Sequence, residues 1–137
     1  MFSLRSRKMS KETTVISEKY QLMSILDETV SDSPYQVILV YLSSGCDMSQ
    51  VVDHLFHLLV PEMTTIVTGD FNFDTTETND LTTFLKDNLF SQVVPWPTHI
   101  QGRTLDHCYV SKNVHVKLTR YSPYYSDHSA LCIKFEF

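Results

Sequence analysis

Two short runs of β-branched and aliphatic residues, Gln36 to Leu42 (QVILVYL) and Thr64 to Thr68 (TTIVT), bracket a stretch whose apolar residues recur at helical spacing. This pattern restricts the fold more than any other in the chain. The runs read as strands, and Val51, Val52, Leu55, Phe56, Leu58 and Leu59 form the apolar stripe of a helix between them. Asp47 can cap that helix, with Gln50 three residues on, and Pro61 ends it. Gln21 to Leu26 reads as an earlier strand. A second helix is expected around Leu81, Phe84, Leu85 and Leu89, entered from the polar stretch Thr75 to Asp80. Arg103 to Val110, Val114 to Tyr121 and Ser129 to Phe137 read as three late strands. Strands and helices in this order predict an α/β (α+β) layered domain, its mixed and mostly antiparallel sheet covered by helices on one face.

With 137 residues the chain is expected to form one domain with its own core. Its three cysteines, Cys46, Cys108 and Cys132, are odd in number and far apart, which excludes a disulfide framework and a C-x-x-C zinc site. Reduced, buried thiols are expected, in an intracellular setting, nuclear or cytoplasmic, rather than a secreted one. The longest apolar runs, such as Val37 to Tyr41, fall far short of the ~20 residues of a spanning helix, so no membrane partner is expected.

Charge is unevenly placed. Residues 1–20 hold five bases and two acids, net +3, and read as a basic disordered tail ahead of a domain at 21–137. The remainder holds six bases and 14 acids, net −8. Such a body repels phosphodiesters unless bound cations or a local basic patch reverse the field.

Three polar clusters follow or open strands, where layered α/β proteins place their sites. The first is Thr68-Gly69-Asp70-Phe71-Asn72-Phe73-Asp74. Asp70 and Asn72 are two apart, so extended geometry would aim both the same way, a carboxylate beside an amide. The second runs from Pro97 through His99 to Arg103-Thr104-Leu105-Asp106-His107, and the third is Tyr124-Tyr125-Ser126-Asp127-His128-Ser129. An Asp within one strand and a His in the loop opening another can meet across a sheet, the carboxylate fixing the imidazole tautomer. Each cluster alone also fits a turn, a cap or a surface pair. The Asp70-x-Asn72-x-Asp74 spacing begins like a calcium loop but fails with Thr75 at position six and Leu81 at position twelve. His54 and His57 are one helical turn apart with no third ligand nearby. Contiguous Asp127, His128 and Ser129 diverge too much to form a nucleophilic triad.

In this order, Gly69-Asp70-Phe71-Asn72, Arg103-Thr104-Leu105-Asp106-His107 and Ser126-Asp127-His128-Ser129 resemble the endonuclease/exonuclease/phosphatase family, the metal-dependent fold of DNase I-like and apurinic-site-type nucleases. The likeness covers about residues 36 to 137 and is to members of the sort that mobile elements encode. It implies that Asp70 orients or deprotonates the attacking water and that Asn72 binds the scissile phosphate or leaving oxygen. His128 would stabilise the pentacovalent phosphorus with Asp106 as its partner, and Asp127 would help hold a divalent cation, Mg²⁺ or Mn²⁺. Tyr41, at the end of its strand, would contact the phosphate or leaving group. Nucleic acid is the implied substrate, ahead of a lipid or inositol phosphate.

The family's whole domain is much longer and forms a four-layer α/β sandwich whose first half supplies an Asn and a metal-binding Glu. Glu12, Glu18 and Glu28 stand in no matching context. The chain is therefore expected to be the C-terminal half of such a domain, with an apolar sheet face to be covered by a missing N-terminal half or a second copy. The alternative expectation is a non-catalytic remnant or interaction module that keeps the fold.

Overall fold

The two runs that bracket the first helix become neighbours: β3 (Tyr35–Leu42) pairs in parallel with β4 (Thr64–Asp70), and α1 (Met48–Leu58) is the crossover between them. The computed structural model describes residues 11–27, 34–111, 114–121 and 126–136. Before β3 come β1 (Lys11–Ile16) and β2 (Tyr20–Asp27), and after β4 come α2 (Asp80–Asp87), β5 (Ser91–Gln92) and β6 (Asp106–Val110). Together the strands form a six-stranded sheet in the order β1-β2-β3-β4-β6-β5, antiparallel except at β3–β4. The last two strands, β7 (His115–Tyr121) and β8 (Ala130–Glu136), form a separate antiparallel ribbon.

Both helices cover one face. Val51 and Leu55 of α1 and Leu81 and Leu85 of α2 are buried against Leu22, Ile38, Val40, Leu42 and Val67. The opposite face, expected to lie open, is covered over β4 and β6. Ile66, Cys108 and Val110 pack there against Val116, Leu118, Leu131 and Ile133 of the ribbon. β4 is thus buried on both sides and β3 is buried on both faces at Val37 and Ile38, which explains their continuous apolar runs.

Local chemistry sets the element ends. Asp47 caps α1 by accepting from the Ser49 N–H, while Asn79 and Thr82 make a reciprocal capping box on α2. At the far end of α1, the buried Gln36 side chain reaches across from β3. Its amide donates to the Leu58 carbonyl at 2.6 Å and the Ser24 hydroxyl at 2.7 Å, and its oxygen accepts from the Val60 N–H at 3.1 Å. Gly69 lies flat against β3 at φ +146°, where an added Cβ would stand 1.9 Å from the Val40 carbonyl oxygen. Only glycine fits.

Several expectations change. Lys11–Ile16, assigned to a disordered tail, is edge strand β1, in register with β2 from Lys11↔Leu26 to Ile16↔Gln21. Five of its six side chains are exposed, so backbone pairing rather than a hydrophobic pattern makes it a strand. The rest of the expected tail up to residue 10 lies outside the described residues, as do Glu28, Tyr124 and Tyr125. Leu89 stands beyond α2 at φ +65° and is exposed. β6 begins at Asp106 rather than Arg103 because residues 98–105 form an anchored turn. Cys132 faces outward, unlike the buried Cys46 and Cys108, and all three are free thiols. Among the described residues no helix is long and apolar enough to cross a membrane.

Candidate active site

Three strand ends meet at one edge of the sheet. Because β3 and β4 are parallel, their last residues emerge together, and antiparallel β6 begins beside them. Asp70, last in β4, is therefore in register with Tyr41 of β3 on one side and with Asp106, first in β6, on the other. In a pleated sheet such registered residues share a face.

Asp106 anchors the third cluster. His128 Nδ1 lies 2.8 Å from an Asp106 oxygen, and its Nε2 faces Asp70 at 4.0 Å. With Nδ1–H donating to Asp106, Nε2 is the ring nitrogen turned toward the open site. Burial pulls the His128 pKa down, but the Asp106 hydrogen bond and the charges of Asp106, Asp70 and Asp127 outweigh it, leaving it raised. The Asp70 carboxyl is also raised, first by burial and then by the neighbouring Asp106 charge, against the Asn72 N–H and the histidines.

Asn72 does not extend the strand beside Asp70, contrary to expectation. The chain turns at Phe71, Asn72 takes the left-handed conformation at φ +55°, and its N–H donates to Asp70 Oδ1 at 3.0 Å. The turn lets Phe71 and Phe73 both enter the core, and the Asn72 side chain is exposed at the site's rim. Tyr41 is 53% exposed on the same edge. Asp127 sits beside His128 with its carboxylate mostly in solvent, 3.4 Å from His99 Nε2.

The supporting shell is dense. Thr98 Oγ1 accepts from the N–H groups of both Leu105 and Asp106 at 3.0 Å, and Asp74 accepts from the Thr104 N–H at 2.7 Å. His107, fully buried, stacks on Phe71 with ring centroids 4.6 Å apart. Its Nε2 lies 2.8 Å from the carbonyls of both Phe73 and Thr104, so Nε2 carries the proton and Nδ1 accepts from the Tyr109 hydroxyl at 2.9 Å. Burial lowers its pKa, and it is a neutral tie between the first two clusters. His99, Thr98 and Asp74 received no role from the sequence. All three lay in the polar clusters, but only the folded loops show what they hold.

Two groups of side chains have the donors and proximity to hold a cation: Asp70, Asp106 and His128, and His99, Asp127 and His128. The donor set suits a hard divalent ion. The carboxylates of Asp70 and Asp106 lie close together, and a cation would relieve the Asp106 repulsion that adds to burial in raising Asp70. Among the described residues the two helical histidines, His54 and His57, contribute to no such group; His54 Nδ1 meets the Tyr20 hydroxyl at 2.6 Å instead.

No family model matches the sequence, and no curated protein matches it. Solved structures do. The chain is similar to an endonuclease/exonuclease/phosphatase family protein from Leptotrichia buccalis C-1013-b, with a TM-score of 0.70 and 16% identity over 95% of this chain and 61% of that one. It is also similar to the human Nocturnin catalytic domain, with a TM-score of 0.58 and 21% identity over 86% of this chain and 53% of that one. At these identities the likeness is one of fold: the chain has the DNase I-like fold and spans less than two thirds of the length of either structure.

Proposed function

We propose that the chain carries part of the active site of a metal-dependent phosphodiester hydrolase of the endonuclease/exonuclease/phosphatase family, acting on nucleic acid. The observation that carries this reading is the Asp106–His128–Asp70 array at one sheet edge, with Asp127 beside it. Asp106 holds the imidazole by Nδ1, so protonated His128 presents an Nε2–H donor to negative charge developing on a phosphate. Asp70, its pKa raised toward the working range, is the acceptor for the proton of the attacking water. Asn72, exposed two residues after Asp70, and exposed Tyr41 would touch the phosphate or the leaving oxygen. A divalent cation such as Mg²⁺ or Mn²⁺, which Asp127 would help hold beside the Asp70–Asp106 group, would supply Lewis-acid stabilisation of phosphate charge. The remaining length of the similar folds is where further cation ligands and the cover for the rest of the second sheet face would come from.

The test pairs Mn²⁺ titration by calorimetry with cleavage of a labelled oligonucleotide. Mn²⁺ binding that is lost in Asp70→Asn is expected, and Mn²⁺-dependent cleavage lost in His128→Ala would show that this part of the fold suffices for turnover. If the chain binds no Mn²⁺ and the triple variant lacking the Asp70, Asp127 and His128 side chains folds as wild type does, the non-catalytic reading replaces this one.

A further inference from the structure

His99 stands in both the geometry and the sequence of the site without a role. Its side chain is 13% exposed, whereas that of the neighbouring Asp127 is 61% exposed, so the histidine is the fixed member of the pair and the carboxylate the free one. The backbone holds the pair in place. Segments 98–100 and 127–129 are joined by an antiparallel bridge at His99↔His128, with the Ser129 N–H donating to the Thr98 carbonyl at 2.6 Å and the Ile100 N–H to the Asp127 carbonyl at 2.9 Å.

The ring's own bonds then decide what it can do. Nδ1 accepts from the Gln101 N–H at 3.2 Å, so that lone pair is taken. A neutral imidazole whose Nδ1 accepts carries its proton on Nε2. That nitrogen lies 3.4 Å from Asp127 Oδ2. The ring edge meets His128 in a T-shaped contact, with centroids 5.2 Å apart at 81°. A nitrogen that carries a proton offers a cation no lone pair, so proximity to Asp127 and His128 does not make His99 a ligand.

We propose that His99 is a positioning residue: its Nε2–H holds one oxygen of Asp127, leaving the other for a divalent cation, while its ring fixes the rotamer of His128. The inference rests on the reading of Asp127 as a cation-holding carboxylate. Groups that orient a ligating side chain in this way typically change metal affinity by about 10–100-fold when removed.

Two measurements test it. Long-range ¹H–¹⁵N correlation spectra of the wild-type chain at pH 8 are expected to show His99 with a protonated Nε2 and a bare Nδ1. The opposite tautomer overturns the proposal, and this result needs neither metal binding nor a variant that folds. Titration with Mn²⁺ alone then compares His99→Gln, whose terminal amide still reaches Asp127 as a donor, with His99→Leu. Affinity within about twofold of wild type for Gln and about tenfold weaker for Leu is expected. Equal loss in both variants would make His99 a direct ligand and overturn the proposal. If wild type binds no Mn²⁺, the functional reading fails, while the ring-nitrogen signals still decide the His99 assignment.

Discussion

Asp70 and His128 shift in the same direction, and this gives the site a pH signature. A group whose folded pKa is raised contributes stability that is fully present below its unfolded value and is lost as pH climbs through the folded value. For Asp70 that loss begins above the ordinary carboxylate value of 3.8, and for His128 above the ordinary imidazole value of 6.5. In a chelator these two groups are therefore expected to take stability away as pH rises, Asp70 above 3.8 and His128 above 6.5, while His107, lowered by burial, adds stability as pH rises toward 6.5. Asp70→Asn keeps the acceptor for the Asn72 N–H but removes the charge. It should erase the acid part of that slope and be more stable than wild type at pH 7 without metal, as read by urea unfolding at a series of pH values. A variant that tracks wild type across the range would refute the raised carboxyl. Individual residues were legible in the sequence where a motif named them: the Asp106–His128 pair was expected across a sheet and is found at 2.8 Å. Asn72 was misplaced, because alternation assumes a strand and the Gly69-Asp70 exit ends it. His107, next to Asp106 in the same motif, turns out to be the tie that holds Phe73 and Thr104.

Among the elements, long apolar periodicity was readable and backbone pairing was not. α1 and α2 and the centres of β2, β3 and β4 follow from runs of Val, Ile and Leu. Edge strands β1 and β5 carry little apolar pattern, since an edge needs only ladder hydrogen bonds to one neighbour. Gln36 shows the same blindness from another side. In sequence it is the polar start of a strand, yet the fold buries it because the end of α1 arrives over it with two unpaired backbone groups. Gln36→Leu would preserve the strand and leave the Leu58 carbonyl, the Val60 N–H and the Ser24 hydroxyl without this partner. A cost of about 2–3 kcal/mol is expected from urea titration, with loss concentrated in protection of the last turn of α1. A change below about 0.5 kcal/mol would show that water substitutes for the amide.

For the whole molecule, the layered arrangement was legible and its second layer was not. The order of strands and helices pointed to helices on one face, as found, but no local pattern shows that β7 and β8 fold back over Ile66 and Cys108. That contact spans long stretches of chain and depends on which faces remain apolar once the helices are placed. The charge balance acts at this scale too. With net −8 over residues 21–137, the body gains from any cation that binds the folded state alone. Free Mg²⁺ at 100 times its dissociation constant would add about 2.7 kcal/mol, raising the melting temperature on the order of 10 °C. Scanning calorimetry with Mg²⁺ and with an equal ionic strength of NaCl separates site binding from screening. Equal shifts in the two would mean that only the general field is being relieved.

The reversal of strand direction at the site edge has a consequence for motion. Asp70 and Asp106 are terminal residues of their strands, where a ladder frays first. Fraying is resisted by the backbone bond from the Phe71 N–H to the Leu105 carbonyl at 2.9 Å and by one hydroxyl, Thr98 Oγ1, which takes the N–H groups of Leu105 and Asp106 together. Opening of the site is thereby separated from unfolding of the core: the 105–106 amides would exchange with solvent through local release of the Thr98 hydroxyl, while the Tyr109 amide, paired with Val67 inside the ladder, would wait for the sheet itself to come apart.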